Sequence, residues 1–438
     1  MEEHKNQDHS DFMKETIKQR PLNRRKLVRR TLLTAAMAVV FGMVACFTFL
    51  LLEPVISNRL YPEEEPETVE FIEETKEDEI LPEDMIADDS QMQPEPTEPP
   101  ALEDEQIAQV LSEMELGVED YLSLVSGVRE VAQEVKRSVV TVVGVTSDVG
   151  WLDNEYENEG AVSGVVVADN GIDLLVLADV SSIEGAESLE VVFHDGEVYQ
   201  ASIMKKDNNT GLGIISIAKT AMKGSTLEIA AAAELGTSST SLVGVPVIAL
   251  GRPMGTEGSL CYGNITSAGN AIRLPDSNYK FLTTDIYGSS NASGILVNLR
   301  GQVVGLIDMS YNSPDLKNLI SAIGISDIKR VIQSLSNDKN IAYFGVYGVD
   351  VTAAVNQELE VPYGAYITEI DMDSPAMNAG IQSGDVIIKW NDTEISRYQD
   401  LVNALLAEEP EKTAEVTLMR QGPEGYIEME ATAVLGLK

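Results

Sequence analysis

Twenty-two consecutive residues, Thr31 to Leu52, carry no charge, and that run sets the topology open to the whole chain. At helical rise it spans about 33 Å, enough for a hydrocarbon core of about 30 Å. Residues 1–30 hold nine Lys/Arg against five Asp/Glu and end in the cluster Arg24, Arg25, Lys26, Arg29, Arg30. Basic residues on that flank put a cytoplasmic tail (1–30) before a membrane helix (31–52) and leave the bulk of the chain outside the cell membrane. A cleaved signal peptide is the competing reading, but the run is long and no A-x-A site follows it. Met43-Val44-Ala45-Cys46 has a faint likeness to a lipoprotein signal, yet the apolar run continues past Cys46.

Beyond the run, Glu53 to Glu105 holds twenty acidic residues against two basic ones. Rich in Glu, Asp and Pro, such a stretch buries too little apolar surface to offset its ordering entropy, so 53–105 is expected to be a disordered, self-repelling spacer. The whole chain carries 71 acidic against 31 basic residues, a net charge of −40, which argues against nucleic acid as a partner. Two cysteines, Cys46 and Cys261, give neither a disulfide framework nor a zinc cluster, and no cofactor or metal is expected.

From Ile107 to Val135, apolar residues Ile107, Val110, Leu111, Met114, Leu122, Val125, Val128 and Val135 fall mostly three and four apart, which predicts a helical segment over 106–137. It could pack on the next domain or pair between protomers. From Ser138 the chain turns strand-rich: Val139–Val143, Gly164–Val167, Leu174–Leu177, Leu189–Phe193 and Leu212–Ile217, with turns at Asp169-Asn170-Gly171 and His194-Asp195-Gly196. A second set follows at Leu242–Leu250, Leu260–Ser267, Phe281–Thr284, Ile295–Val297 and Val303–Ile307. Ser326 is then expected to cap a short helix whose one face is Ile328, Val331, Ile332 and Leu335. Two sets of short antiparallel strands predict two barrels within 138–338.

The loop and hairpin Thr283–Ser310 resembles the active-site segment of HtrA (DegP-like) trypsin-like serine proteases, T-D-A-A-I-N-x-G-N-S-G-G-P-L-V-N-x-x-G. Thr284, Asp285, Leu296, Val297, Asn298 and Gly301 match. Anchored on Leu296-Val297-Asn298, the resemblance places Ala292 where the nucleophile stands; the loop is one residue short, and moving the gap gives that slot to Ser293. The family's base-carrying stretch corresponds to Val176–Phe193, with Ser181 at the His position. Its Asp-carrying stretch corresponds to Asp207–Ile217, with Gly211 at the Asp position. His4 and His9 lie in the basic tail, which leaves His194, in a turn, as the one imidazole beyond the membrane run. A serine without a base is a poor nucleophile at neutral pH. A Ser-Lys pair through Lys205, Lys206 or Lys280 is conceivable, but nothing in their spacing recommends it.

Residues 341–438 closely resemble an HtrA-type PDZ domain through Ser374-Pro375-Ala376, Ala379-Gly380-Ile381, Ser383-Gly384-Asp385-Val386-Ile387 and Leu418–Gly422. The resemblance implies peptide capture by strand addition, with backbone N–H groups receiving a terminal carboxylate. It places that loop at Tyr343, Phe344, Gly345 and Val346, and the opposite wall on a helix from Tyr398 to Leu406 bearing Leu401 and Leu405. The same apolar residues could equally be core.

The sequence therefore predicts a mostly β protein: one transmembrane helix, a disordered acidic linker, a trypsin-like double antiparallel β-barrel and an α+β PDZ domain. The expected function is that of a membrane-anchored pseudoprotease binding peptide or protein C-termini, unfolded proteins among the conceivable partners, in envelope quality control, scaffolding or sensing. Two alternatives stand beside it: a weakly active serine endopeptidase using Ser293, and an envelope organiser in which the helical segment drives homo-oligomerisation.

Overall fold

The computed structural model describes residues 32–44, 46–48, 66–71, 117–145 and 160–438. Residues 32–44 and 46–48 are helical with exposed side chains, in a unit, Met1–Glu65, separate from Pro66–Lys438. Among the described residues no helix is long and apolar enough to cross a membrane. The basic tail and the remainder of the expected span lie outside the described residues.

Two closed six-stranded barrels follow. The first is built from β1 (Val139–Val145), β2 (Ala161–Asp169), β3 (Asp173–Asp179), β4 (Ser188–Val192), β5 (Val198–Lys206) and β6 (Leu212–Ala218), in the order β1-β2-β3-β6-β5-β4. The second uses β7 (Pro246–Arg252), β8 (Ser259–Leu274), β9 (Ser277–Tyr287), β10 (Ser293–Val297), β11 (Val303–Ile307) and β12 (Leu319–Gly324), in the order β10-β11-β12-β9-β8-β7. β-Branched runs such as Val165-Val166-Val167 suit a pleated, buried surface. Apolar-run reading misses β5, because most of that strand faces solvent; Val198 and Ile203 are exposed.

Helix α1 (Val118–Val135) docks only by its C-terminal end, where Ala132 and Val135 are buried, while Tyr121, Leu122, Leu124 and Val125 remain exposed. Residues 106–116 of the expected helical segment lie outside the described residues. Helix α2 (Ile325–Ser336) buries Ile328, Val331, Ile332 and Leu335 as its spacing predicts. Its N-cap is Gly324, not Ser326. Ser326 instead ties α2 sideways: its Oγ accepts from Ser238 N at 2.7 Å, and its own N–H donates to Ser238 Oγ at 3.0 Å.

One apolar cluster runs from the first barrel (Val165, Leu177, Ile214) through the second (Ile248, Ile295, Val297) to α2 (Ile328, Ile332). It also takes in Val69, with Phe71 packed against it, so the acidic stretch is not free along its whole length. Asn337 explains why. Its Oδ1 accepts from Val69 N and its Nδ2 donates to Val69 O, both at 2.8 Å, while Gln333 Oε1 accepts from Phe71 N at 3.2 Å. The two apolar residues of Thr68-Val69-Glu70-Phe71, two apart, supply locally the burial that the average composition of 53–105 lacks.

The last part of Pro66–Lys438 is a sheet in the order β14-β15-β16-β18-β19. The strands are β14 (Val346–Asp350), β15 (Ala365–Ile370), β16 (Val386–Trp390), β18 (Thr413–Gly422) and β19 (Gly425–Val434), with β17 (Thr393–Glu394) pairing β16, β13 (Ala342–Tyr343) and β20 (Gly436–Leu437) pairing in a separate two-stranded sheet, and helix α3 (Tyr398–Ala407) across the main sheet. Phe344 and Trp390 meet edge to face at its centre, ring centroids 5.0 Å apart. Asp385, 1% exposed in its side chain, accepts from Arg420 Nε and Nη2, each at 2.7 Å, and from Gln382 N. That bidentate pair fixes the Gly384-Asp385 turn against β18.

Candidate functional site

The structure brings positions 181 and 211 together. Val180 N–H donates to Gly211 O at 2.8 Å, and a Cβ on Gly211 would lie 3.0 Å from the Ser181 Cβ and 2.9 Å from Asp179 Oδ1. Gly211 holds φ +73, a conformation glycine adopts without cost. The Ser181 hydroxyl donates to Asp179 Oδ1 at 2.5 Å. At the two positions that the resemblance aligns with a base and its orienting carboxylate, a serine thus serves a local aspartate.

Nearby, burial pushes the Asp308 carboxyl above the usual carboxylate range, with Ser310 opposing it and the charge of Asp179 adding to it. Tyr311 is pushed up to about 12, first by burial and then by Asp308. Neither was visible as a site residue in the sequence, because no motif marks them.

The loop at 288–294 is equally closed on itself. Gly288 N–H donates to Asn318 O, Ser289 N–H to Pro253 O, Asn291 N–H to Ser289 Oγ and Ala292 N–H to Ser289 O. Amides spent this way do not converge on a developing oxyanion. The Ala292 methyl joins the second barrel's apolar cluster. Ser293, half-buried at the start of β10, has its Oγ accepting from Ser163 N in the first barrel at 3.0 Å. Gly294 is required as glycine: at φ +128, a Cβ would meet Leu250 O at 2.0 Å.

The three candidate lysines are engaged elsewhere. Lys205 pairs with Asp338 at 3.3 Å, Lys206 with Glu184 at 2.8 Å, and Lys280 Nζ donates to Ser238 O at 3.3 Å. His194, the one histidine among the described residues, is exposed in the turn between β4 and β5.

The second site is the loop before β14. Phe344, Val346, Leu401 and Leu405 all lie in the sheet's own apolar core, and Tyr343 is half-buried with its hydroxyl donating to Asp371 Oδ2 at 2.7 Å. The backbone N–H groups of Phe344, Gly345 and Val346 converge, as an anion cradle does. They converge on Asp276, at the turn between β8 and β9. Phe344 N–H donates to Oδ2 at 2.8 Å, Gly345 N–H to both carboxylate oxygens at 2.9 Å, and Val346 N–H to Oδ1 at 3.0 Å.

Asp276 is 4% exposed and holds φ +58. Burial pushes its carboxyl up, while the N–H groups of Val346, Gly345 and Phe344 and the charge of Lys438 pull the other way. Sequence reasoning missed Asp276, since Leu274-Pro275-Asp276-Ser277 reads as an ordinary turn.

Two closed antiparallel barrels with a loop at 288–294, followed by a sheet whose leading loop cradles a carboxylate, define a trypsin-like peptidase fold joined to a PDZ domain. The family model of the trypsin-like peptidase domain matches residues 162–306, and that of the PDZ domain matches 335–430. Among known proteins, the chain is similar to the serine protease Do-like HtrA of Lactococcus lactis subsp. lactis, 28% identical over 61% of this chain and 69% of that one. It is also similar to the serine endoprotease DegS of Haemophilus influenzae, 27% identical over 59% of this chain and 73% of that one. Of solved structures, an HtrA-type protease AlgW with decapeptide matches with a TM-score of 0.50 at 22% identity, over 71% of this chain and 98% of that chain. This chain is HtrA-like: a trypsin-like peptidase domain with a PDZ domain after it.

Proposed function

We propose that this chain is a membrane-anchored, extracytoplasmic HtrA-like pseudoprotease that captures peptide or protein C-termini through its PDZ domain. The observation that carries the reading is the juxtaposition of Ser181 and Gly211, at the positions that the resemblance aligns with a base and its orienting carboxylate. The loop amides spent on Ser289, Pro253 and Asn318 support it further, because the residual turnover of a triad-less protease comes from its oxyanion hole. Anchoring rests on the charge-free run Thr31–Leu52 behind a basic cluster, and localisation at the cell membrane follows from it. In this role the barrels are a scaffold and the PDZ domain is the working surface, the partners being polypeptides with a free carboxyl end.

The test is cleavage of an unfolded model substrate by the full chain in detergent, beside a Ser293→Ala variant. No turnover above buffer is expected from either. Turnover that disappears in the variant would overturn the reading and make Ser293 a nucleophile.

A further inference from the structure

We infer that the turn carrying Asp276 is a built-in competitor that shuts the PDZ groove, so that a peptide ending in a free carboxylate enters only when this turn withdraws. The inference rests on the reading of the PDZ domain as a capture module and adds how that module is gated. Three observations carry it.

First, the Asp276 side chain takes the position of a terminal carboxylate. Three consecutive amides, Phe344 to Val346, donate to its two oxygens, and its own N–H donates to Val346 O at 2.8 Å. A carboxylate on the loop together with an N–H on the strand is the pairing that the last residue of an added strand makes.

Second, the β14 edge beside it is also taken. Asn278 Nδ2 donates to Gly348 O at 2.9 Å, and Tyr398 Oη donates to Val346 O at 2.9 Å. The Tyr398 ring lies over Gly348, where a Cβ would come within 2.4 Å of it. An incoming strand finds the N–H groups of the loop taken and Gly348 O bonded by Asn278 of the hairpin that carries Asp276.

Third, the turn is held from both sides, by the first barrel and by the end of the PDZ domain. Asn209 Nδ2 from the first barrel donates to Pro275 O at 2.8 Å, and Lys438 Nζ donates to Ser277 Oγ at 3.3 Å. The sequence has no need of an aspartate at a left-handed hairpin turn, where Asn or Gly serves as well; the carboxylate's partners are all across the interface. A competitor on the same chain acts at an effective concentration of order mM, and a peptide's apparent affinity falls by the fraction of molecules whose groove is open.

The experiment uses the full chain in detergent, wild type, Asp276→Ala and the isosteric Asp276→Asn, the last covering the case that the alanine variant misfolds. Each is titrated with decapeptides differing in their last residue, prepared as free acids and as carboxamides. In parallel, hydrogen exchange of the amides Phe344 to Val346 is followed without peptide. The expected result is faster exchange at these amides in both variants, and free-acid binding about tenfold or more tighter than in the wild type, with carboxamides not bound.

Unchanged exchange in the folded variants, or a wild type that binds free acids as tightly as they do, would overturn the gating. Faster exchange without any preference for free acids would keep the carboxylate contact as the groove's occupant and sink terminus capture, so the two ideas fail separately.

Discussion

The barrel cleft and the PDZ groove are filled in opposite ways. In the proposed reading the cleft has the wrong residue types: at the positions that the resemblance aligns with base, orienting acid and nucleophile, Ser181, Gly211 and Ala292 supply no imidazole, carboxylate or hydroxyl in turn, and the loop amides are bonded to Ser289, Pro253 and Asn318. In the groove the residue types are those of a carboxylate-binding loop, and its amides do bind a carboxylate, but it belongs to Asp276 of the same chain. The first loss is written in the composition of a motif; recovering it takes several coordinated substitutions. The second is an occupancy by side chains of the same chain, and the inferred gating makes the Asp276 carboxylate the one whose substitution relieves it.

The largest expected effect tests whether the groove's form is its own. Arg420→Met leaves the Asp385 carboxylate, 1% exposed, with Gln382 N–H but without its guanidinium. Removing one partner of such a pair costs about 3 kcal/mol or more. Calorimetry should show a lower unfolding temperature, with the loss falling on the PDZ signals. A variant within 0.5 kcal/mol of the wild type, a threshold of about the size expected for neutral surface changes, would mean that the Gly384-Asp385 turn is held by its backbone bonds alone.

A smaller effect is expected from writing the family's triad back into the cleft with Ser181→His, Gly211→Asp and Ala292→Ser. At φ +73 and 2.9 Å from Asp179 Oδ1, an aspartate at 211 meets both backbone strain and a like charge. We expect a loss of about 1–3 kcal/mol and no turnover of an unfolded substrate, because the amides of Asn291 and Ala292 stay bonded to Ser289. Turnover in this variant would show that the loop rearranges readily and that residue type alone separates the cleft from a working one.

What the sequence disclosed follows from the range of the interactions involved. Strands with an apolar face, the α2 stripe and the Ser374–Ile387 pattern are local, and a reader of the chain meets them as runs or motifs. β5 is local too, but its faces are mostly wet, so no apolar run marks it. Pro66–Phe71 escapes notice because Val69 and Phe71 are outvoted by the acidic residues around them, and the partner that orders them, Asn337, lies 268 residues from Val69. Asp276 is the extreme case. Its chemistry depends on burial, on amides 68 to 70 residues away and on the charge of Lys438, and nothing within its own turn distinguishes it from a solvated aspartate.

The smallest effect is the sharpest control on the cleft. His194 is the one imidazole among the described residues, exposed in its turn, and exposed substitutions away from any special contact stay within about 0.5 kcal/mol. His194→Gln should therefore leave the unfolding temperature and the hydrolysis of an unfolded substrate unchanged. A serine such as Ser293, its Oγ already accepting from Ser163 N, needs a proton acceptor to attack a carbonyl. If the wild type showed turnover and His194→Gln lost it, the acceptor would have to come from a second copy of the chain, since the turn that carries His194 makes none of the contacts around Ser293. Mixing His194→Gln with Ser293→Ala would then restore activity, whereas two inert variants that stay inert together leave the cleft without chemistry.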